Sequence, residues 1–291
     1  MDEQRTAAVL GGDARQPYAA RAFEAAGWEV RCYQTPEEPQ TGEAAPSLEE
    51  ALQGAEVVLL PVPYKGIDTA ELCIHVTEEQ TLFGLLLPDD LRTHCAGRGI
   101  ACHDLLERGD FATLNAISTA EGAIAEAIAA GAGNLHLSQA LVLGYGRCAK
   151  PLIKKLQGFG ARVTVAARRW EAACAAVADG CEVLDFTLLP YHLPRFTYIF
   201  NTIPALVLEE AHLQRMLPEA VIVDIASAPG GVDFEAAQRL GVCAKLCLGL
   251  PGKYAPRAAG ESIAQIARVI LEEQEGAVWN RDWGGSAPVS G

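Results

Sequence analysis

Leu141-Val142-Leu143-Gly144-Tyr145-Gly146-Arg147-Cys148-Ala149 reads as an apolar strand, a glycine turn and the opening of a helix. Its G-x-G-x-x-A pattern is the phosphate-binding turn of a dinucleotide fold. Gly144 permits the tight turn, Gly146 leaves the backbone open to a pyrophosphate, and Ala149 is small enough for close helix–strand packing. The following helix, about Ala149 to Gly158, points free N–H groups at the phosphates. Ala161 to Ala166 forms the next strand and runs into Ala167-Arg168-Arg169. A carboxylate at that strand end binds the ribose 2′-OH of NAD, whereas arginine favours the 2′-phosphate of NADP. The expected cofactor contacts are therefore Gly144, Tyr145, Gly146, Arg147, Ala149, Arg168 and Arg169, with NADP preferred to NAD. A structural turn beside an exposed basic pair is the plainer alternative. The strand–turn–helix–strand context favours the cofactor.

Outward from this turn, Trp170 to Asp179 reads as a helix, Glu182-Val183-Leu184 as a short strand and Thr197-Tyr198-Ile199-Phe200 as a fourth strand. The fourth strand ends in Asn201-Thr202-Ile203-Pro204, a loop position that lies along the nicotinamide half in dinucleotide enzymes. Asn201, Thr202 and Pro204 are thus further cofactor candidates. Strands at Ala220–Ala226 and Val242–Leu248 complete this half. Gly249 to Pro256 is expected to cross the cleft, and a helix over Ala259–Gln274 to pack back across the domains.

Upstream, Ala7–Leu10, a helix over Gln16–Ala26 and a strand over Trp28–Tyr33 form a β-α-β unit, which predicts a parallel sheet. Residues 35 to 46 read as a surface loop. Further strands are expected at Ala55–Leu60, Thr81–Leu86 and Gly99–Asp104, and helices at Ser47–Leu52 and Asp89–Ala96. Gly11-Gly12-Asp13-Ala14-Arg15-Gln16 follows the first strand without a dinucleotide pattern. It reads either as a turn with Asp13 capping the helix, or as a substrate loop in which Arg15 grips a carboxylate. Ser118 and Glu121 fit a capping box ahead of an alanine-rich helix, Ala120 to Ala130. The positive end of that helix, at the domain junction, attracts an anion. The expected fold is α/β, with two doubly wound parallel-sheet (Rossmann-like) domains. Residues 1–117 form an N-terminal substrate domain, 118–133 a connecting helix and 134–258 the NADP domain. Residues 259–283 form a C-terminal helix and 284–291 a disordered tail.

The chain has 291 residues, half of them hydrophobic, and a formal net charge of −14 without a basic run. That balance excludes nucleic acid and anionic membranes as main partners. The polar start Met1-Asp2-Glu3-Gln4-Arg5 and the lack of a spanning apolar run predict a cytoplasmic protein. Nine cysteines then read as reduced thiols. No metal spacing emerges, since the adjacent pairs His94-Cys95 and Cys102-His103 match no zinc pattern.

Five segments together resemble the family of dipicolinate synthase A subunits from spore-forming bacteria. They are Gly11–Gln16, Asn115–Gly122, the turn at Gly144, Asn201–Pro204 and Leu250-Pro251-Gly252-Lys253-Tyr254-Ala255-Pro256. The resemblance covers nearly the whole chain except the tail, although the family commonly carries proline where this chain has Ser118. It implies NADP-dependent oxidation of dihydrodipicolinate, or its hydrated precursor, to dipicolinate in the mother-cell cytoplasm during sporulation. It also implies the dipicolinate synthase B subunit for a partner, a small dicarboxylate substrate and self-association into a homo-oligomer. On this reading Arg15 and Lys253 are the positive groups for the carboxylates, with Ser118 and Thr119 as donors and Arg257 in reserve. Asp13 and Glu121 complete the substrate set. No side chain is singled out as catalytic base. Two alternatives remain: a two-domain dehydrogenase of the alanine dehydrogenase type, and a nucleotide-binding regulatory subunit without its own turnover.

Overall fold

Thr6–Leu10 (β1) has five successive buried residues, the pattern of a strand covered on both faces in a parallel sheet. In the computed structural model, which describes residues 4–36, 41–131 and 133–276, it lies inside the first of two six-stranded sheets. Glu29–Tyr33 (β2), Glu43–Ala44 (β3), Val57–Leu59 (β4), Thr81–Gly84 (β5) and Ala101–Asp104 (β6) complete that sheet, ordered β3-β2-β1-β4-β5-β6. The second sheet holds Gln139–Leu143 (β7), Arg162–Ala166 (β8), Glu182–Leu184 (β9), Tyr198–Asn201 (β10), Val221–Asp224 (β11) and Cys243–Leu246 (β12), ordered β12-β11-β10-β7-β8-β9. Every pairing is parallel. Both orders reverse beside the first strand, at β1/β4 and at β7/β10. Such reversals open a crevice at the strands' carboxyl ends. The protein is thus a two-domain, Rossmann-like α/β structure.

Helices cover both sheets. Arg15–Ala25 (α1), Leu48–Leu52 (α2), Thr69–His75 (α3) and Asp89–Arg98 (α4) serve the first, followed by Gly109–Ala130 (α5). Ala149–Gly158 (α6), Trp170–Ala178 (α7), Leu189–His192 (α8), Glu210–Leu213 (α9) and Phe234–Leu240 (α10) serve the second, followed by Leu250–Tyr254 (α11) and Pro256–Gln274 (α12). Ile263, Ile266, Ile270 and Leu271 of α12 join the core of the first domain with Val9, Phe23 and Phe83. The chain therefore enters the second domain through α5 and returns through α11 and α12.

The structure corrects three sequence expectations. The junction helix begins at Gly109, not near Ser118, so no capping box forms at Ser118 and Glu121. Asp110 favours the true first turn, and packing of Phe111 outweighs the weak helix propensity of Asn115 and Thr119. The loop expected over 35–46 contains β3, whose Glu43 and Ala44 pair with Arg31 and Cys32. The cleft-crossing segment after Gly249 is helical, as α11. Residues 277–283 and the tail 284–291 lie outside the described residues.

The α1–α12 crossing brings backbone against backbone. A side chain at Gly260 would meet the carbonyl oxygen of Arg15 and the amide of Ala19. Overpacking of this kind costs about 1–3 kcal/mol. Gly260→Ala is expected to lower the denaturant midpoint accordingly, with an unchanged m-value. An unaltered midpoint would show that the two helices are not in this close contact.

Candidate functional site

The glycine turn sits at the β7/β10 reversal. Gly144 has φ +96°, and a Cβ there would lie 2.6 Å from Thr202 Oγ1, so position 144 demands glycine on both counts. Gly146 faces open space, with nothing within 4 Å of an added Cβ. The first turn of α6 carries no acidic side chain and no side-chain cap. Lys150 N donates to Gly146 O at 3.2 Å and Pro151 has no N–H, so the amides open to an anion at the helix head are those of Cys148 and Ala149. Arg147, Arg168 and Arg169 are exposed around the turn and make no carboxylate ion pair among the described residues. Arg168 lies over the Phe186 ring. The Gly144 amide donates to Ala166 O at 2.9 Å, which fixes the arginine-bearing end of β8 beside the turn.

Other expected cofactor residues are committed to the protein itself. Tyr145 donates its hydroxyl to Ala175 O and Asp179, and burial with this carboxylate pushes its pKa up to about 12. Thr202 Oγ1 donates to Leu143 O at 2.8 Å. Asn201 is wholly buried; its amide donates to Ile203 O and Asp224 Oδ1 and accepts from Ile203 N. Asp224 also accepts from Ala226 N and Gly231 N. Asn201 and Asp224 thus shape the two loops beyond β10 and β11, and Pro204 is exposed on the first.

At the β1/β4 reversal, Asp13 N donates to Val62 O, and the buried Gln16 amide donates to Leu10 O and Leu60 O, each at 2.9 Å. These bonds tie the ends of the two strands. Asp13 accepts Arg15 Nε and Nη2, both at 2.9 Å, and also the Arg15 amide. Asp13 is not the N-cap of α1, which is Ala14, but its carboxylate accepts both the Arg15 amide and the Arg15 guanidinium. Arg15 is only 6% exposed, and its Nη1 has no hydrogen-bond partner among the described residues.

Between the crevices, α11 packs onto α5. A Cβ at Gly122 would lie 2.8 Å from Leu250 Cβ and 3.0 Å from Tyr254 Cδ2. One turn on, Glu126 is 7% exposed and accepts from Lys253 Nζ, from Tyr254 OH at 2.8 Å and from Lys245 Nζ at 3.4 Å. The hydrogen bond from Lys253, then that from Tyr254, holds the Glu126 carboxyl down at about 2, and Lys253 is raised in return. On the other side of α11, a Cβ at Gly252 would lie 2.7 Å from Asp13 Oδ2 and 2.9 Å from Arg15 Nε.

The structure thus brings Asp13, Arg15 and Lys253 around one short helix. It does not give Lys253 the role of a free cation, because Glu126 holds it. Ser118 is buried one turn before Gly122, whereas Thr119 donates to Asn115 O inside the helix. Neither hydroxyl lies at a helix end, where free N–H groups would draw an anion. Glu121 points outward to Lys155 at 2.7 Å. Glu126, Lys245 and Gln16 are the residues that sequence reasoning missed. Only Gln16 lay within a segment singled out there.

A cavity of about 980 Å³, lined by Arg5, Glu49, Glu50, Glu56 and Gln80, opens at the opposite, amino ends of β1, β4 and β5. Arg5 there is paired with Glu56 and Glu275. No crevice-side loop reaches it, so the strand reversals make the better candidate site. Among the described residues no cluster of metal-ligating side chains occurs, and no helix is long and apolar enough to cross a membrane.

Comparison with known proteins agrees with this fold. Residues 6–106 match the family model for the N-terminal domain of the dipicolinate synthase A subunit. The dipicolinate synthase A subunit of Bacillus subtilis (strain 168) is 37% identical over 169 residues, 58% of this chain. The match spans only 57% of that relative's own length. The crystal structure of the dipicolinate synthase A subunit from Bacillus halodurans is similar with a TM-score of 0.83 at 26% identity, over 92% of this chain and 97% of that one. An L-alanine dehydrogenase shares the fold, with a TM-score of 0.65 at 18% identity over 93% and 90% of the two chains.

The low pKa of Glu126 has a pH signature. Its charged form is favoured in the folded state, so the stabilisation is complete above the ordinary value of 4.5 and is lost as pH falls toward about 2. The unfolding free energy gap between the parent protein and Glu126→Gln is expected to be flat above about pH 6 and to shrink steadily below it. Denaturant titrations across that range check this. A constant gap would mean that the carboxylate is not held in its charged form.

Proposed function

We propose that this chain, which is related to the A subunit of dipicolinate synthase, oxidises dihydrodipicolinate or its hydrated precursor to dipicolinate with NADP, working beside a B subunit. The observation that carries this reading is the pairing of two crevices. One presents an open glycine turn ringed by arginines without carboxylate partners, and the other a guanidinium with one free edge. Bound NADP supplies the hydride acceptor. The residues around the glycine turn fit it: the amides of Cys148 and Ala149 at the head of α6 meet the pyrophosphate, and Arg168 and Arg169 meet the 2′-phosphate. Asn201, Thr202 and Pro204 shape the loop that faces the nicotinamide end.

Arg15 Nη1 orients a substrate carboxylate. Asp13 fixes the guanidinium plane, and such a charge-assisted bond sets direction as well as strength. Forming an aromatic ring makes the oxidation downhill, so the site's work is positioning and charge pairing. The same relationship carries a mother-cell cytoplasmic location during sporulation, and self-association of this chain. The division into a substrate domain ahead of α5, a connecting α5, an NADP domain up to α11 and a returning α12 belongs to this reading.

The direct test supplies the product of a dihydrodipicolinate-forming aldolase together with NADP, and follows reduced cofactor and dipicolinate with and without the B subunit. Equal appearance of both is the expected result. Binding of NADP without either product would leave a nucleotide-binding regulatory role instead. In a second test, replacing Arg168 and Arg169 by alanine should weaken NADP about 10- to 100-fold while NAD changes little. Equal loss for both cofactors would remove the 2′-phosphate assignment.

A further inference from the structure

We infer that Glu126 is a positioning residue for Arg15, acting across α11 to set the substrate-binding edge of the guanidinium. The inference rests on the reading of Arg15 as the substrate's carboxylate partner. α11 is five residues long and is entered through Gly249 at φ +67°, so little within the helix fixes where it lies. Contacts on its two sides do so instead. On the α5 side, Glu126 accepts from both Lys253 and Tyr254, and the missing side chain of Gly122 lets Leu250 and Tyr254 close onto the helix. On the first-domain side, the backbone at Gly252 lies against the Asp13–Arg15 pair without room for a methyl group. A displacement of α11 therefore moves the wall against which Arg15 Nε and Asp13 Oδ2 are held.

The charge arrangement points the same way. Glu126 is buried and faces two lysines, Lys253 and Lys245. Removing its charge leaves both lysines without the carboxylate and frees α11 to shift. Asp13 neutralises Arg15, so the guanidinium binds a carboxylate through its remaining Nη1 edge rather than through spare charge. Binding through one edge depends on orientation, and orientation is what α11 enforces.

The test uses the full chain with its B subunit. Glu126→Gln is expected to raise the substrate KM about tenfold while the Kd for NADP stays within about twofold. Combined with Arg15→Lys, it should add much less than its own separate effect, because both changes damage one interaction. Gly252→Ala leaves the Glu126 contacts in place but presses on Asp13 and Arg15, and it should reproduce the raised KM. This variant also keeps the question open to test if Glu126→Gln folds poorly. Full multiplication of the Glu126 and Arg15 effects, or parallel loss of kcat and NADP affinity, overturns the role of Glu126 alone. An unchanged KM in Arg15→Lys by itself overturns the substrate reading of Arg15, and the inference with it.

Discussion

The contact between α5 and α11 is the constraint on which the arrangement of the two domains depends. The chain leaves its first domain through one of these helices and comes back through the other. Gly122 removes the steric barrier to their approach, and Glu126 fixes it with hydrogen bonds from Lys253 and Tyr254. α11 follows the carboxyl end of β12 and passes, at Gly252, against the loop at the carboxyl end of β1. The two strand reversals are thereby linked by a few residues of backbone. α12 completes the return by burying its isoleucines in the first core.

Electrostatics at the two strand reversals differ from those of the molecule as a whole. The chain carries a net charge of −14, which repels an anionic dinucleotide at long range. Near the glycine turn, however, Arg147, Arg168 and Arg169 have no carboxylate partner among the described residues. The helix end adds its own partial positive charge. Near the other reversal the cations are neutralised, Arg15 by Asp13 and Lys253 by Glu126. The two strand reversals therefore differ in charge: arginines unpaired among the described residues surround the glycine turn, whereas the cations at the other reversal are held in ion pairs.

Much of the fold was legible in the sequence because buried parallel strands appear as short apolar runs between turns. β1, β7, β10 and β11 all have this form, and the glycine turn announced the second domain. The start of α5 was misread for a physical reason: Ser118 and Glu121 have the spacing of a cap, but tertiary packing carried the helix past them to Gly109. β3 is two residues long and has no apolar alternation to reveal it. The substrate end was least legible. Asp13 looked like a helix cap, but Ala14 holds that position and the Asp13 carboxylate is spent on Arg15, two positions away. Glu126 was not readable, because Lys245 and Lys253 lie 119 and 127 residues along the chain, and only the fold brings them together. For the same reason Lys253 looked like a free cation. The polar character of Asn201 suggested a ligand contact, whereas its amide is used to bind Asp224 and its own loop.

If both strand reversals serve one cleft, cofactor sits at the second and dicarboxylate at the first. A crystal structure of the chain with NADP and dipicolinate decides this. Pyrophosphate density is expected over Gly144 to Arg147 at the head of α6. A dipicolinate carboxylate is expected on Arg15 Nη1, beside Asp13 and Gly252. Dipicolinate seated away from Arg15, for instance in the cavity at the amino ends of β1 and β4, would contradict the shared cleft, as would NADP bound clear of the glycine turn.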